Sequence, residues 1–168
     1  MSIALRITRG LWDRIHADLD RPHMFAPERV AFISCRPATS GSGLMLIAHD
    51  LHPVADEHYL HHPYAASISG RAFSHVLGVA YRNPVSIFHV HRHEHEGVPL
   101  FSGLDLTESH KFVPDFWNVQ PSHPHGAIVL SHDSAIGLVW QRSGVEPAPI
   151  SRFSIVGLPT REIRHAHA

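Results

Sequence analysis

Four histidines alternate in the run Phe88-His89-Val90-His91-Arg92-His93-Glu94-His95, and this run is where the sequence concentrates its chemistry. The chain holds eighteen histidines against fourteen lysines and arginines. Neutral imidazole is the commonest side-chain ligand for metal ions, so such a cluster points to a metal site. A strand ending in His-x-His presents both rings on one face, because side chains alternate with period two. Two such ligands and one carboxylate leave a fourth position open for water, the arrangement of a hydrolytic site rather than a structural one. The carboxylate candidate is Asp105, in Phe101-Ser102-Gly103-Leu104-Asp105. If Ser102 opens a helix, Ser102 and Asp105 lie three residues apart on one side of it. Asp105 would then ligate the metal while the Ser102 hydroxyl points at a reacting carbonyl oxygen. A general base is also needed. Glu28 heads an otherwise apolar strand, where a carboxylate is costly unless it has a partner or a task. Plainer roles compete: Glu28 as a strand-entry charge paired with Arg29 or Arg36, Ser102 as a helix N-cap, and Asp105 as a carboxylate favoured by the helix dipole.

A glutamate at the head of a strand, then His-x-His, a short loop and Ser-x-x-Asp together resemble the motif of the JAB/MPN (JAMM) metalloproteases. The stretch GVPLFSGLD is similar to the loop-to-helix segment of the bacterial members associated with ubiquitin-like systems. GAIVLSHDSAIGLVW resembles the paired strands that follow the motif. The likeness runs from about Glu28 to Trp140 and implies a single MPN-type α/β domain, with a mixed central sheet flanked by helices. It implies Zn2+ held by two histidines and Asp105, Glu28 as the base that takes a proton from the zinc water, and Ser102 as a donor to the oxyanion. It further implies a peptidase or isopeptidase acting on the C-terminal tail of a ubiquitin-like protein, in company with activating- and conjugating-enzyme homologues. The spacing departs from the family in one respect. Seven residues usually separate the second histidine from the serine, whereas ten follow His91, eight follow His93 and six follow His95 before Ser102. Counting favours His91 with His93. Rigidity favours His89 with His91, which end the apolar strand, and the extra residues then fall in a tolerant loop. The sequence reading takes His89 and His91, with His91 common to both pairings.

A rival of another class is the cupin barrel, whose first motif is nearly matched by His89, His91, Glu96 and Gly103. Asn83 stands where that motif needs glycine, no second cupin motif follows, and two segments read as helices. A non-catalytic MPN scaffold is a third reading, disfavoured because every ligand type is present.

Several elements must position these residues. Residues 2–7 read as a strand, and Thr8 as the N-cap of a helix over 9–19 with Leu11, Ile15 and Leu19 on one side. Residues 29–35 form a buried strand, 37–43 a turn and 44–54 the next strand. Residues 71–80 suit a helix with Ala72, Phe73, Val76 and Ala80 inward, and 85–91 a strand. A helix should start near Ser102, with Pro114 arguing against its continuation through HKFVPDFWNV; Phe112, Phe116 and Trp117 are core candidates. Residues 126–140 make a hairpin about His132-Asp133-Ser134, three adjacent residues that cannot converge as a hydrolytic triad. Residues 152–158 form a last strand. Domain boundaries follow at 1–160, with 161–168, including His165 and His167, as a loose tail.

A length of 168 residues and 43% apolar content suit one domain with a sizeable core. A net charge of -1 argues against nucleic acid or an anionic membrane as the main partner. One cysteine, Cys35, excludes an internal disulfide and reads as a buried apolar residue. Without a secretory leader pattern or a continuous apolar run, the expectation is a soluble cytoplasmic domain.

Overall fold

The computed structural model describes residues 2–41, 43–62 and 65–165. β1 (Ile3–Thr8) leads straight into α1 (Arg9–Leu19), where Thr8 Oγ1 accepts a hydrogen bond from the Leu11 N–H at 3.2 Å. Leu11, Trp12, Ile15 and Leu19 are buried, so the helical spacing in the sequence is a packing face. β2 (Val30–Ser40) and β3 (Gly43–Pro53) form a long antiparallel hairpin. The turn expected over 37–43 is shorter than that, because β2 continues to Ser40. Pro37 and Thr39 pair with Leu46 and Leu44 of β3, and this cross-strand partnership overrides the turn-like composition. Ser42 of that segment lies outside the described residues.

A short 3-10 turn (Asp56–His58) precedes β4 (Tyr59–Leu60), which pairs with β5 (Ser67–Ile68) in a separate two-stranded ribbon. α2 (Gly70–Arg82) and β6 (Ser86–Arg92) follow, then α3 (Gly103–Phe116). α3 runs through Pro114, contrary to expectation. The proline forfeits the one bond its N–H would have donated to the His110 carbonyl, and the fully buried Val113 and Phe116 on either side hold that turn to the sheet in spite of it. β7 (His125–Leu130) and β8 (Ala135–Trp140) make the expected hairpin. β9 (Ala148–Pro149), β10 (Arg152–Val156) and β11 (Arg161–Arg164) complete the order. The stretch expected to be loose from 161 is therefore a strand in part. β11 pairs antiparallel with β10, Ile163 lies opposite Phe153 in the core, and His165 Nε2 reaches the Ala135 carbonyl at 2.7 Å. One apolar residue among charged neighbours is too weak a pattern to reveal such a strand. His167 lies outside the described residues.

Nine strands make one curled mixed sheet in the order β11-β10-β1-β3-β2-β6-β7-β8-β9. Alternation divides it into two faces. Ala31, Ile33 and Cys35 of β2 and Phe88 and Val90 of β6 pack toward α1. Val30, Phe32 and Ile87 pack on the other side with Ala72, Val76 and Ala80 of α2 and Phe116 of α3. Cys35 is wholly buried, which pushes its thiol pKa up and leaves it an apolar filler. The protein is thus a mixed α/β fold, and among the described residues no helix is long and apolar enough to cross a membrane.

His125 is an internal post between these layers. Its Nδ1 accepts from the Ile87 N–H at 3.0 Å, so Nε2 carries the proton and donates to the Gln120 carbonyl at 3.1 Å. Burial, chiefly, pushes its pKa down to about 4. The unfolded chain binds this proton near pH 6.5 and the folded one resists it. Stability from His125 is therefore complete above pH 6.5 and is lost as pH falls toward 4, by about 3 kcal/mol. Urea unfolding midpoints measured across that range should fall with acid in the parent and fall less steeply in His125→Gln.

Candidate metal centre

Antiparallel pairing of β2 with β6 places Val30 opposite His91 and Phe32 opposite His89. The face of β6 toward α2 and α3 therefore presents His89 and His91 in succession, and His93 continues the same parity just past the strand end. β6 is held on its other side by parallel β7, and the His93 N–H donates to the Leu130 carbonyl at 2.9 Å. Opposite these rings stands the start of α3. Ser102 Oγ accepts from the Asp105 N–H at 3.1 Å, and Asp105 Oδ2 accepts from the Ser102 N–H at 2.7 Å, a reciprocal capping box. This fixes the Asp105 carboxylate with its other oxygen toward the histidines.

The result is a compact group of His91, His93 and Asp105 that can hold a metal ion. His91 Nε2 lies 3.3 Å from His93 Nε2 and 3.3 Å from Asp105 Oδ1, and His93 Nε2 lies 3.6 Å from Asp105 Oδ2. Bonds of about 2.0–2.1 Å arranged tetrahedrally give ligand separations near 3.3 Å, so the donor atoms are already spaced to share one ion. Partial burial works to raise the Asp105 pKa, but hydrogen bonding from His91 and Ser102 outweighs it and holds the carboxyl well below the usual carboxylate range. Burial and the neighbouring His91 push the His93 pKa down, toward the neutral ring that a metal requires. His91 is 3% exposed, and its Nδ1 is buried without a hydrogen-bond partner among the described residues. Its orientation thus comes from the packing of β6 rather than from an acceptor behind the ring.

His89 stands outside this group. Its ring packs 5.0 Å from Phe112, 5.6 Å from Phe32 and 5.6 Å from His91, and burial pushes its pKa down to about 3. The structure brings together the pair that counting favours, with His91 shared, where the sequence reading takes His89 with His91. The extra residue before Ser102 sits in a loop that is held rather than slack. Gly97, with φ 85, donates its N–H to Asp133 Oδ1 at 2.7 Å, while Ser131 Oγ donates to the Gly97 carbonyl at 2.6 Å. The His132 N–H adds a bond to the His95 carbonyl at 3.0 Å. The His132-Asp133-Ser134 turn is thus the anchor of the loop that carries His93 toward Ser102. The sequence marks it as a turn, but nothing local shows what it holds.

Glu28 is half-buried, two residues ahead of β2, and lines the same cleft as His91 and Asp105. Its charge works to raise the His93 pKa. It makes no ion pair among the described residues. Arg29 instead bonds Asp56 Oδ1 at 2.7 Å and the Arg21 carbonyl at 2.6 Å. Ser102 is exposed beside the group, and its oxygen accepts from the Asp105 N–H. Glu96, needed beside His89 and His91 by a cupin-type site, is exposed on the loop and absent from the group.

No family model matches the chain, and no curated protein matches it either.

Elemental analysis of purified protein should find about one bound metal ion per chain. His91→Ala, His93→Ala and Asp105→Ala should lose it, while His89→Ala keeps it; the reverse pattern at residues 89 and 93 would move the site along the strand. Ser102→Ala should lower stability by about 1 kcal/mol through loss of the cap, read from thermal unfolding, and should leave metal content intact.

Proposed function

We propose that this protein is a zinc-dependent peptidase or isopeptidase of the JAB/MPN (JAMM) type, hydrolysing an amide bond at the C-terminal tail of a ubiquitin-like protein. The observation that carries the reading is the group of His91, His93 and Asp105, two of whose members, His91 and Asp105, line one cleft with Glu28. Two nitrogen donors and one oxygen donor suit zinc and leave a position for water. The order of the parts also supports it: a glutamate ahead of one strand, histidines on its antiparallel neighbour, and a serine-capped helix carrying the aspartate. The ubiquitin-like substrate and its activating- and conjugating-enzyme partners rest on the motif resemblance.

Bound zinc would supply Lewis acidity, polarising a carbonyl and lowering the pKa of a coordinated water toward neutrality. The protein's side chains then have separate tasks. His91 and His93 offer neutral nitrogens from a rigid strand, and Asp105 offers a carboxylate that stays ionised. Glu28, half-buried in the same cleft and without an ion pair among the described residues, takes a proton from the attacking water and returns it to the leaving amine. The Ser102 hydroxyl, with its own oxygen already engaged by Asp105, donates to the oxygen of the substrate carbonyl as charge develops there.

Glu28→Gln separates base from ligand. It should keep the parent's zinc while lowering hydrolysis of a fluorogenic amide on a ubiquitin-like C-terminal peptide by about 10²–10⁴-fold. Unchanged turnover would remove Glu28 from the reaction, and a zinc-loaded parent inactive on every such amide would overturn the peptidase reading.

A further inference from the structure

The cleft does not end at the metal-binding group. The same cleft, about 330 Å³ in all, runs from Glu28, His91 and Asp105 to Phe73 of α2, Phe112 of α3 and His89 of β6. Phe112 lies 5.6 Å from Phe73 and 5.0 Å from His89, ring centre to ring centre, so the three make a continuous aromatic wall. Ile68 of the β4–β5 ribbon and Leu104 of the first turn of α3 close the sides. Phe73, Phe112 and Ile68 are only half-buried, and Leu104 is 49% exposed. Leaving such surface open forgoes roughly 25 cal/mol for each Å² that a neighbour could cover. Here it stays open directly beside the groups that would perform hydrolysis.

We infer that this cavity is a substrate subsite for one large aromatic side chain on the residue that adjoins the scissile amide. The inference rests on the hydrolase reading of the adjacent metal group and narrows its substrate class. The volume is at the lower end of ligand pockets, about 300–1,000 Å³, which suits one side chain with its flanking backbone and not a folded domain. Aromatic pairs favour edge-to-face and tilted contacts at centroid separations of about 4.5–7 Å, and the wall of rings offers several such partners. Because His91 and Asp105 belong both to the cavity wall and to the metal group, its occupant lies within a residue of the reacting carbonyl. A tail made only of glycine at that position would leave the cavity empty. His89 thereby acquires a place in the design: it shapes the subsite floor while His91 and His93 hold the ion.

Two hydroxamates test this on the zinc-loaded full chain, since both carry the same chelating head. Acetohydroxamate reaches the metal alone, and 3-phenylpropionohydroxamate adds a phenyl group on a short tether. Calorimetric titration should show the phenyl compound binding about tenfold more tightly or better, the scale of discrimination a good apolar pocket provides. The preference should shrink in His89→Ala and in Phe73→Ala, with zinc content and circular dichroism unchanged. Equal affinities for the two compounds in the parent would overturn the subsite and leave the metal centre standing. A parent that retains zinc yet binds neither compound, or retains no zinc, would overturn the hydrolase reading together with the subsite.

Discussion

The antiparallel register between β2 and β6 governs the whole cleft. With Val30 opposite His91, the two strands send the same parity of side chains toward α2 and α3. A slip of one residue would turn His89 and His91 into the α1-facing core and bring Phe88 and Val90 out among the polar groups. That error is heavily penalised, because Phe88 and Val90 are wholly buried among the residues packed against α1. The apolar packing of one face thus enforces the chemical geometry of the other. Glu28, two residues before Val30, lines the same cleft as His91.

Asp105 is the second point at which structure and chemistry coincide. One carboxylate oxygen caps α3 through the Ser102 N–H, and the other faces His91. A helix start needs an acceptor at this position whatever the protein does, since its first N–H groups lack intrahelical partners. The same acceptor is the candidate ligand, so the cap fixes its direction without a further set of contacts. The histidine nitrogens stand 3.3 Å apart beside this carboxylate, a separation one ring N–H can bridge to the other nitrogen and that also suits a shared ion.

Rigidity elsewhere serves the same end. Arg92, on the reverse side of β6 from the histidines, is buried and bonded to Asp20 at the end of α1 and to Glu94. It locks the strand end to α1. The turn at residues 131–134 grips the loop at Gly97, and His125 ties β6 to the segment after α3. The cleft is framed by elements that each bear a candidate ligand, a cap or a wall residue.

The sequence by itself determined the parts with strong local signals. Thr8 and the Leu11, Ile15 and Leu19 spacing define α1, the Ser102–Asp105 interval defines the start of α3, and apolar runs define β2, β6, β7 and β8. It also held every member of the candidate site, since Glu28, His91, His93, Ser102 and Asp105 are legible as types able to bind metal or move protons. Only the tertiary structure decided which histidines meet Asp105. His89, His91 and His93 share one parity, and local periodicity cannot rank them; the choice depends on where α3 begins relative to the end of β6. The loop between them is set by Gly97 and Asp133, which are far apart in sequence. The same reason hid β11 and the extension of β2, whose pairing partners override weak or contrary local preference. Pattern reads which residues face inward, while contact between distant elements decides which of those residues touch.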